Sequence, residues 1–128
     1  MSTATQISVE EYLSSTYDPD CEYVDGEIEE RNVGEINHND AQKRLMVYLA
    51  AREKKLGVYS IQEQRVQISP RRFRVPDVCI LAGSKPAEQI VTTPPIVCIE
   101  VLSPEDRLPR TQRKIADYLE FGVRYVWV

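Results

Sequence analysis

The sequence predicts an α/β fold: a mixed sheet flanked by helices, preceded by a helix and a β-hairpin. Three observations predict it. Val78–Leu81 and Ile96–Leu102 are short, almost wholly apolar runs rich in β-branched residues, the pattern of strands covered on both faces. Residues 37–56 and 109–121 repeat apolar side chains at helical spacing. The second of those helices separates Pro95–Leu102 from Val123–Val128, so these two strands are expected to pair in parallel through a right-handed crossover.

Ser8-Val-Glu-Glu11 is a capping-box pattern, and Val9, Tyr12 and Leu13 follow it, giving a short helix over 8–15. Asp25-Gly26 stands between two alternating runs and predicts a hairpin with strands at 21–24 and 27–32, because both central turn residues need positive φ. In the long helix, Ala41, Leu45, Tyr48, Leu49 and Arg52 share a face, Asn37 or Asn39 can cap the start, and Gly57 ends it after Lys54 and Lys55. A strand over 58–68, a turn at 69–72 and a strand over 73–81 follow. The Gly- and Pro-bearing stretch 82–94 reads as a surface loop. The helix at 109–121 is expected to bury Ile115, Ala116, Leu119 and Tyr118 and to stop at Gly122. Tyr23, Tyr48, Tyr118 and Trp127 read as core residues.

At 128 residues and 14.7 kDa the chain fits one domain over residues 1–128, with a single hydrophobic core. No apolar run is long enough for a membrane span, and Met1–Gln6 lack the layout of a secretory signal, so a cytoplasmic protein is expected. Cys21, Cys79 and Cys98 have no Cys-x-x-Cys spacing and read as small buried hydrophobes. The net charge of −4 argues against broad, non-specific nucleic-acid binding, which needs a basic surface. Two local basic strips remain: Arg71–Arg74, read as a solvent-exposed turn, and Arg107, Arg110, Arg113 and Lys114.

Asp77 opens one apolar strand and Glu100 lies near the end of the other. An unpaired buried carboxylate is costly, so each needs a cation, a proton or an opening to solvent. Mg²⁺ takes oxygen ligands, commonly one or two carboxylates plus water and phosphate. Asp77 and Glu100 could supply two and the main-chain carbonyl of Leu102 a third. Lys114, in the following helix, could orient a metal-bound water or steady charge growing on a phosphate. The plainer readings are that Asp77 caps a strand start after Pro76, that Glu100 pairs with an internal arginine such as Arg74, and that Lys114 is a solvated helix lysine.

In order along the chain stand Glu22-Tyr-Val-Asp-Gly-Glu27, His38, Arg74-Val-Pro-Asp-Val78, Ile99-Glu-Val-Leu-Ser-Pro104, Lys114 with Tyr118, and Gly122-Val-Arg-Tyr-Val-Trp127. With these segments the chain resembles the Uma-two family of restriction-endonuclease-like proteins, within the PD-(D/E)XK nuclease superfamily. The resemblance covers nearly the whole chain from about residue 8. It implies a restriction-endonuclease-like core and hydrolysis of a DNA phosphodiester with Mg²⁺ or Mn²⁺. Asp77 then takes the place of the Pro-Asp acid and Glu100 that of the (D/E)XK acid, both as metal ligands. The superfamily's lysine position is Leu102 here, and in the resembling family the lysine is displaced to the next helix, at Lys114. Glu22 and His38 are expected as neighbours of the site.

This chain ends at Val128 on an apolar strand, where the family continues with an Asp-Pro turn and a further strand. Its end therefore reads either as a shortened domain or as an interface that would make a homodimer. Pro109-Arg-Thr-Gln-Arg precedes Lys114 where an acid is more usual. DNA is the expected partner. A non-catalytic nucleic-acid-binding or interaction module on the same fold, and a structural remnant that dimerises through its last strand, are the competing readings.

Overall fold

A computed structural model describes residues 6–128; residues 1–5, on which most of the leader-free N-terminal reading rests, lie outside the described residues. Helix α1, Val9–Ser14, starts where expected, with the Ser8 hydroxyl accepting from the Glu11 N–H at 3.1 Å. Strands β1, Glu22–Val24, and β2, Glu27–Glu29, pair around Asp25 (φ 51°) and Gly26 (φ 96°). Both turn residues occupy the left-handed region that the Asp-Gly signal anticipates.

The expected helix over 37–56 is two: α2, Ile36–Ala50, and α3, Glu53–Leu56. Arg52 marks the break. Its guanidinium lies 3.6 Å from the Tyr48 ring centroid and donates to the Tyr48 carbonyl, satisfying an end that would otherwise continue. Glu53 then accepts from the N–H and hydroxyl of Ser60, which ties α3 to the next strand. The buried face of α2 carries His38, Gln42 and Leu49, with Leu45 half-buried between them. Tyr48, expected inside, is 58% exposed.

The strands predicted over 58–68 and 73–81 each break in two. The segments are β3, Val58–Gln62, and β4, Val66–Ser69, then β5, Arg72–Arg74, and β6, Val78–Ala82. Each chain crosses from one sheet to another at its break. Glu63 takes a φ of 50° at the first crossing, and Val75-Pro76-Asp77 makes the second. Pro76 has no N–H to give to a ladder, which stops pairing there. The expected single mixed sheet is therefore two four-stranded sheets. One, in the order β2-β1-β5-β4, is antiparallel throughout. The other adds β7, Val97–Ile99, and β8, Tyr125–Trp127, in the order β3-β6-β7-β8. Its β7 and β8 are parallel, as predicted, with helix α4, Leu108–Phe121, between them.

The second sheet is covered on both faces, which explains its apolar runs. Val78, Ile80, Val97 and Ile99 meet Leu49 of α2, while Cys79, Leu81 and Cys98 meet Tyr118 of α4 on the other side. The period of two along β6 assigns alternate residues to the two layers. A third cluster, Tyr12, Tyr23 and Phe73, seats α1 on the first sheet. The Tyr12 hydroxyl donates to the Cys21 carbonyl at 2.6 Å within it. Tyr12→Phe is expected to cost about 1 kcal/mol, because it leaves a buried carbonyl unpaired, and thermal melts read this directly.

Two further expectations change. Helix α4 buries Asp117 and Tyr118, whereas Leu119 is 54% exposed and Ala116 faces outward. Polar contacts rather than aliphatic ones set its rotation, through Lys114, Asp117 and Tyr118 at helical spacing. Trp127 is half-exposed rather than a core residue. The three cysteines are free and buried, as expected, and burial pushes the Cys79 thiol up to about 12. Among the described residues no helix is long and apolar enough to cross a membrane.

Candidate active site

Antiparallel pairing sets Val78 opposite Ile99, so the next residues out, Asp77 and Glu100, face one another at the end of β6 and β7. Cross-strand partners project to the same side. Both carboxylates are nearly buried, at 4% and 7% exposure, and both line a cavity of about 50 Å³ that opens beside Leu102. This has room for an ion or a water or two.

Asp77 sits in a full set of donors. Arg31 Nη2 lies 2.8 Å from Oδ1, while the Val101 N–H at 2.7 Å and His38 Nε2 at 3.3 Å meet Oδ2. The Gln42 amide holds the Asp77 main-chain carbonyl at 3.1 Å, so α2 fixes both ends of the residue. Glu100 has fewer partners: Lys114 Nζ at 2.8 Å and the Tyr118 hydroxyl at 2.7 Å. Its burial, with the neighbouring charges of Asp77 and Glu22, outweighs Lys114 and pushes its carboxyl up to about 7.

Lys114 joins the two sheets. Its ammonium lies 2.7 Å from Glu22 Oε2 of the first sheet and 2.8 Å from Glu100 Oε1 of the second. Burial alone would lower its pKa, but the two carboxylates prevail and raise it, so the lysine is charged at neutral pH. Burial likewise opposes the charged form of Glu22, yet Lys114 and Arg74 hold its carboxyl below the ordinary range. Glu22 also accepts the Val75 N–H at 2.8 Å. Behind it, Arg74 spans Glu22, Glu29 and Asp117.

Asp77, Glu100, Lys114, Glu22 and His38 thus meet in one place, although they are scattered along the sequence. Arg74 is buried in this network, not part of an exposed turn, and it does not pair with Glu100. Four residues of the site were not anticipated as such: Arg31, Gln42, Tyr118 and Asp117. Gln42 is one helical turn beyond His38, and Tyr118 one turn beyond Lys114, which the spacing could have shown. Arg31 is the lone cation of the acidic stretch 27–35.

The chain is similar to a protein from Anabaena variabilis described as a putative nuclease belonging to DUF820. The two superpose with a TM-score of 0.82 at 22% identity, over 94% of this chain and 72% of the other, which shows a shared fold. A search of curated proteins finds no match. A family profile described as "Putative restriction endonuclease", Uma2, matches residues 9–128, and the chain belongs to that family.

Proposed function

We propose that the protein is a metal-dependent endonuclease that hydrolyses phosphodiester bonds of DNA with Mg²⁺ or Mn²⁺. The observation that carries this reading is the pairing of Asp77 and Glu100 at adjoining strand ends, facing one open cavity, with Lys114 on Glu100. The donor set fits a hard cation, for which carboxylate oxygens are the preferred ligands. Among the described residues no group of three or more His, Cys, Asp or Glu side chains is placed to hold an ion. Asp77 and Glu100 would therefore hold it as a pair, with waters and a substrate phosphate completing the shell, as is usual for Mg²⁺. When bound, such an ion lowers the pKa of a ligating water and neutralises charge on the phosphate.

The chain's own residues have separate tasks in this reading. His38, Gln42 and the Val101 N–H hold Asp77 in position. Tyr118 fixes one oxygen of Glu100 and leaves the carboxylate aimed at the cavity. Lys114, kept protonated by Glu22 and Glu100, donates hydrogen bonds to charge developing on the phosphate and is not a base. Plasmid cleavage with Mg²⁺ or Mn²⁺ tests this with Glu100→Gln and Lys114→Ala. Both variants are expected to lose about 10²–10³-fold in rate. Equal, metal-independent activity in all three proteins would end the idea.

One observation favours a non-catalytic nucleic-acid-binding module instead. Every carboxylate oxygen of Asp77 and Glu100 already has a partner within the chain. Calorimetric titration separates the readings: DNA binding intact with no Mn²⁺ bound at millimolar concentration supports the module.

A further inference from the structure

Arg31 is the cation of the site that lies directly on Asp77. It comes from the connection between β2 and α2, and its side chain is 4% exposed. Its guanidinium lies 2.8 Å from Asp77 Oδ1 and 3.3 Å from Glu63 Oε1, and donates to the Asp20 carbonyl at 3.4 Å. It lines the same cavity as Glu22, Asp77 and Glu100, whose charges raise its pKa against the opposing effect of burial. A divalent ion in this cavity would be held by carboxylate oxygens of Asp77 and Glu100. Arg31 already holds one of the two Asp77 oxygens.

We propose that Arg31 is the resident counter-ion of Asp77, filling the cation place in the acid cavity until a divalent ion displaces it. This rests on the metal-dependent reading above. The exchange follows from charge. Arg31 and a divalent ion would compete for the same Asp77 carboxylate. A divalent ion held by Asp77 would lie against the Arg31 guanidinium, and like charges that close repel. Arg31, Lys114 and Arg74 each have two or more carboxylate partners: Lys114 and Arg74 share Glu22, whereas Arg31 has Asp77 and Glu63. Arg31 differs in that one of its two partners, Glu63, lies outside the acid pair and is 41% exposed, so the guanidinium keeps a carboxylate when it leaves Asp77. The backbone on either side stays anchored, by Asn32 on Asp106 at 3.0 Å and by Arg110 on the Glu30 carbonyl. The movement is therefore a swing of the side chain towards Glu63, not an opening of the connection.

Two measurements on the full chain test this. In Mn²⁺ calorimetry, Arg31→Gln is expected to bind about tenfold more tightly than wild type, and Arg31→Lys close to wild type. On wild type, phenylglyoxal labelling read by mass spectrometry should find Arg31 protected without metal and several-fold more reactive with saturating Mn²⁺. Exposed Arg44 serves as the internal standard, being 79% exposed. Mn²⁺ bound with equal affinity by wild type and Arg31→Gln, or Arg31 still protected in the Mn²⁺-bound protein, would overturn the counter-ion role while leaving the nuclease reading in place. No Mn²⁺ binding by either protein would overturn both.

Discussion

Arg74→Met is expected to lower the unfolding free energy by about 3–5 kcal/mol, the range for removing one partner of a buried ion pair. Arg74 is 2% exposed and faces Glu22, Glu29 and Asp117 at 2.7–3.2 Å. Methionine keeps most of the volume but leaves these carboxylates short of a cation. Arg72 and Lys114 retain part of the network, through Asp117 and Glu22 respectively, so the loss belongs at the lower end of the range. Against a total stability of about 5–15 kcal/mol this is large, and the urea midpoint should fall by about 1–2 M. Arg44→Ala, which breaks the exposed pair with Asp40, should change stability by less than about 0.5 kcal/mol. The loss in Arg74→Met should also shrink in acid. Glu22 has a folded pKa below its ordinary 4.5, so its stabilisation is present above that value and disappears as pH falls through the folded one. A pH-independent loss, or one under about 1 kcal/mol, would show that the network does not stabilise the fold.

Glu100→Gln is expected to do the opposite, stabilising the protein by about 1–2 kcal/mol at pH 8 while removing Mn²⁺ binding. Glu100 has a folded pKa of about 7 against an ordinary 4.5. Between those values the folded chain binds more protons than the unfolded one, so this group's contribution to stability falls as pH rises. Glutamine carries no charge and escapes the penalty, at the loss of the attraction to Lys114, which keeps Glu22. The variant should therefore match wild type near pH 4, gain steadily from about pH 5 to 7, and hold the gain above. Thermal melts across pH 4–8 measure this. A variant less stable than wild type at pH 8 would mean that the pairing with Lys114 outweighs the burial of the charge. This trade is expected of a site whose acids are kept for binding rather than for folding.

The elements were largely legible along the chain because their signals are local. Ser8 and Asp25-Gly26 act within a few residues, and the apolar runs at Val78–Leu81 and Ile96–Leu102 report burial on both faces directly. The breaks were less legible. Nothing local shows that 58–68 and 73–81 change sheets midway, since each half keeps a strand's pattern; only pairing with a different neighbour divides them. The inward face of α4 was only partly legible, Tyr118 being buried as expected and Ala116 and Leu119 not, for a related reason. Hydrophobic spacing points to Leu119 beside Tyr118, but Lys114 and Asp117 are drawn in by charges from both sheets.

The sequence by itself determined the fold class, the order of its elements and the residue types of the site, because turn chemistry, capping and strand periodicity depend on near neighbours. Only the tertiary structure decided that Lys114 bridges Glu22 and Glu100 and that Arg31 stands against Asp77. Those contacts join residues distant along the chain, and their strength comes from shared burial, which lowers the screening between charges and exists only once the two sheets and α4 have closed around them.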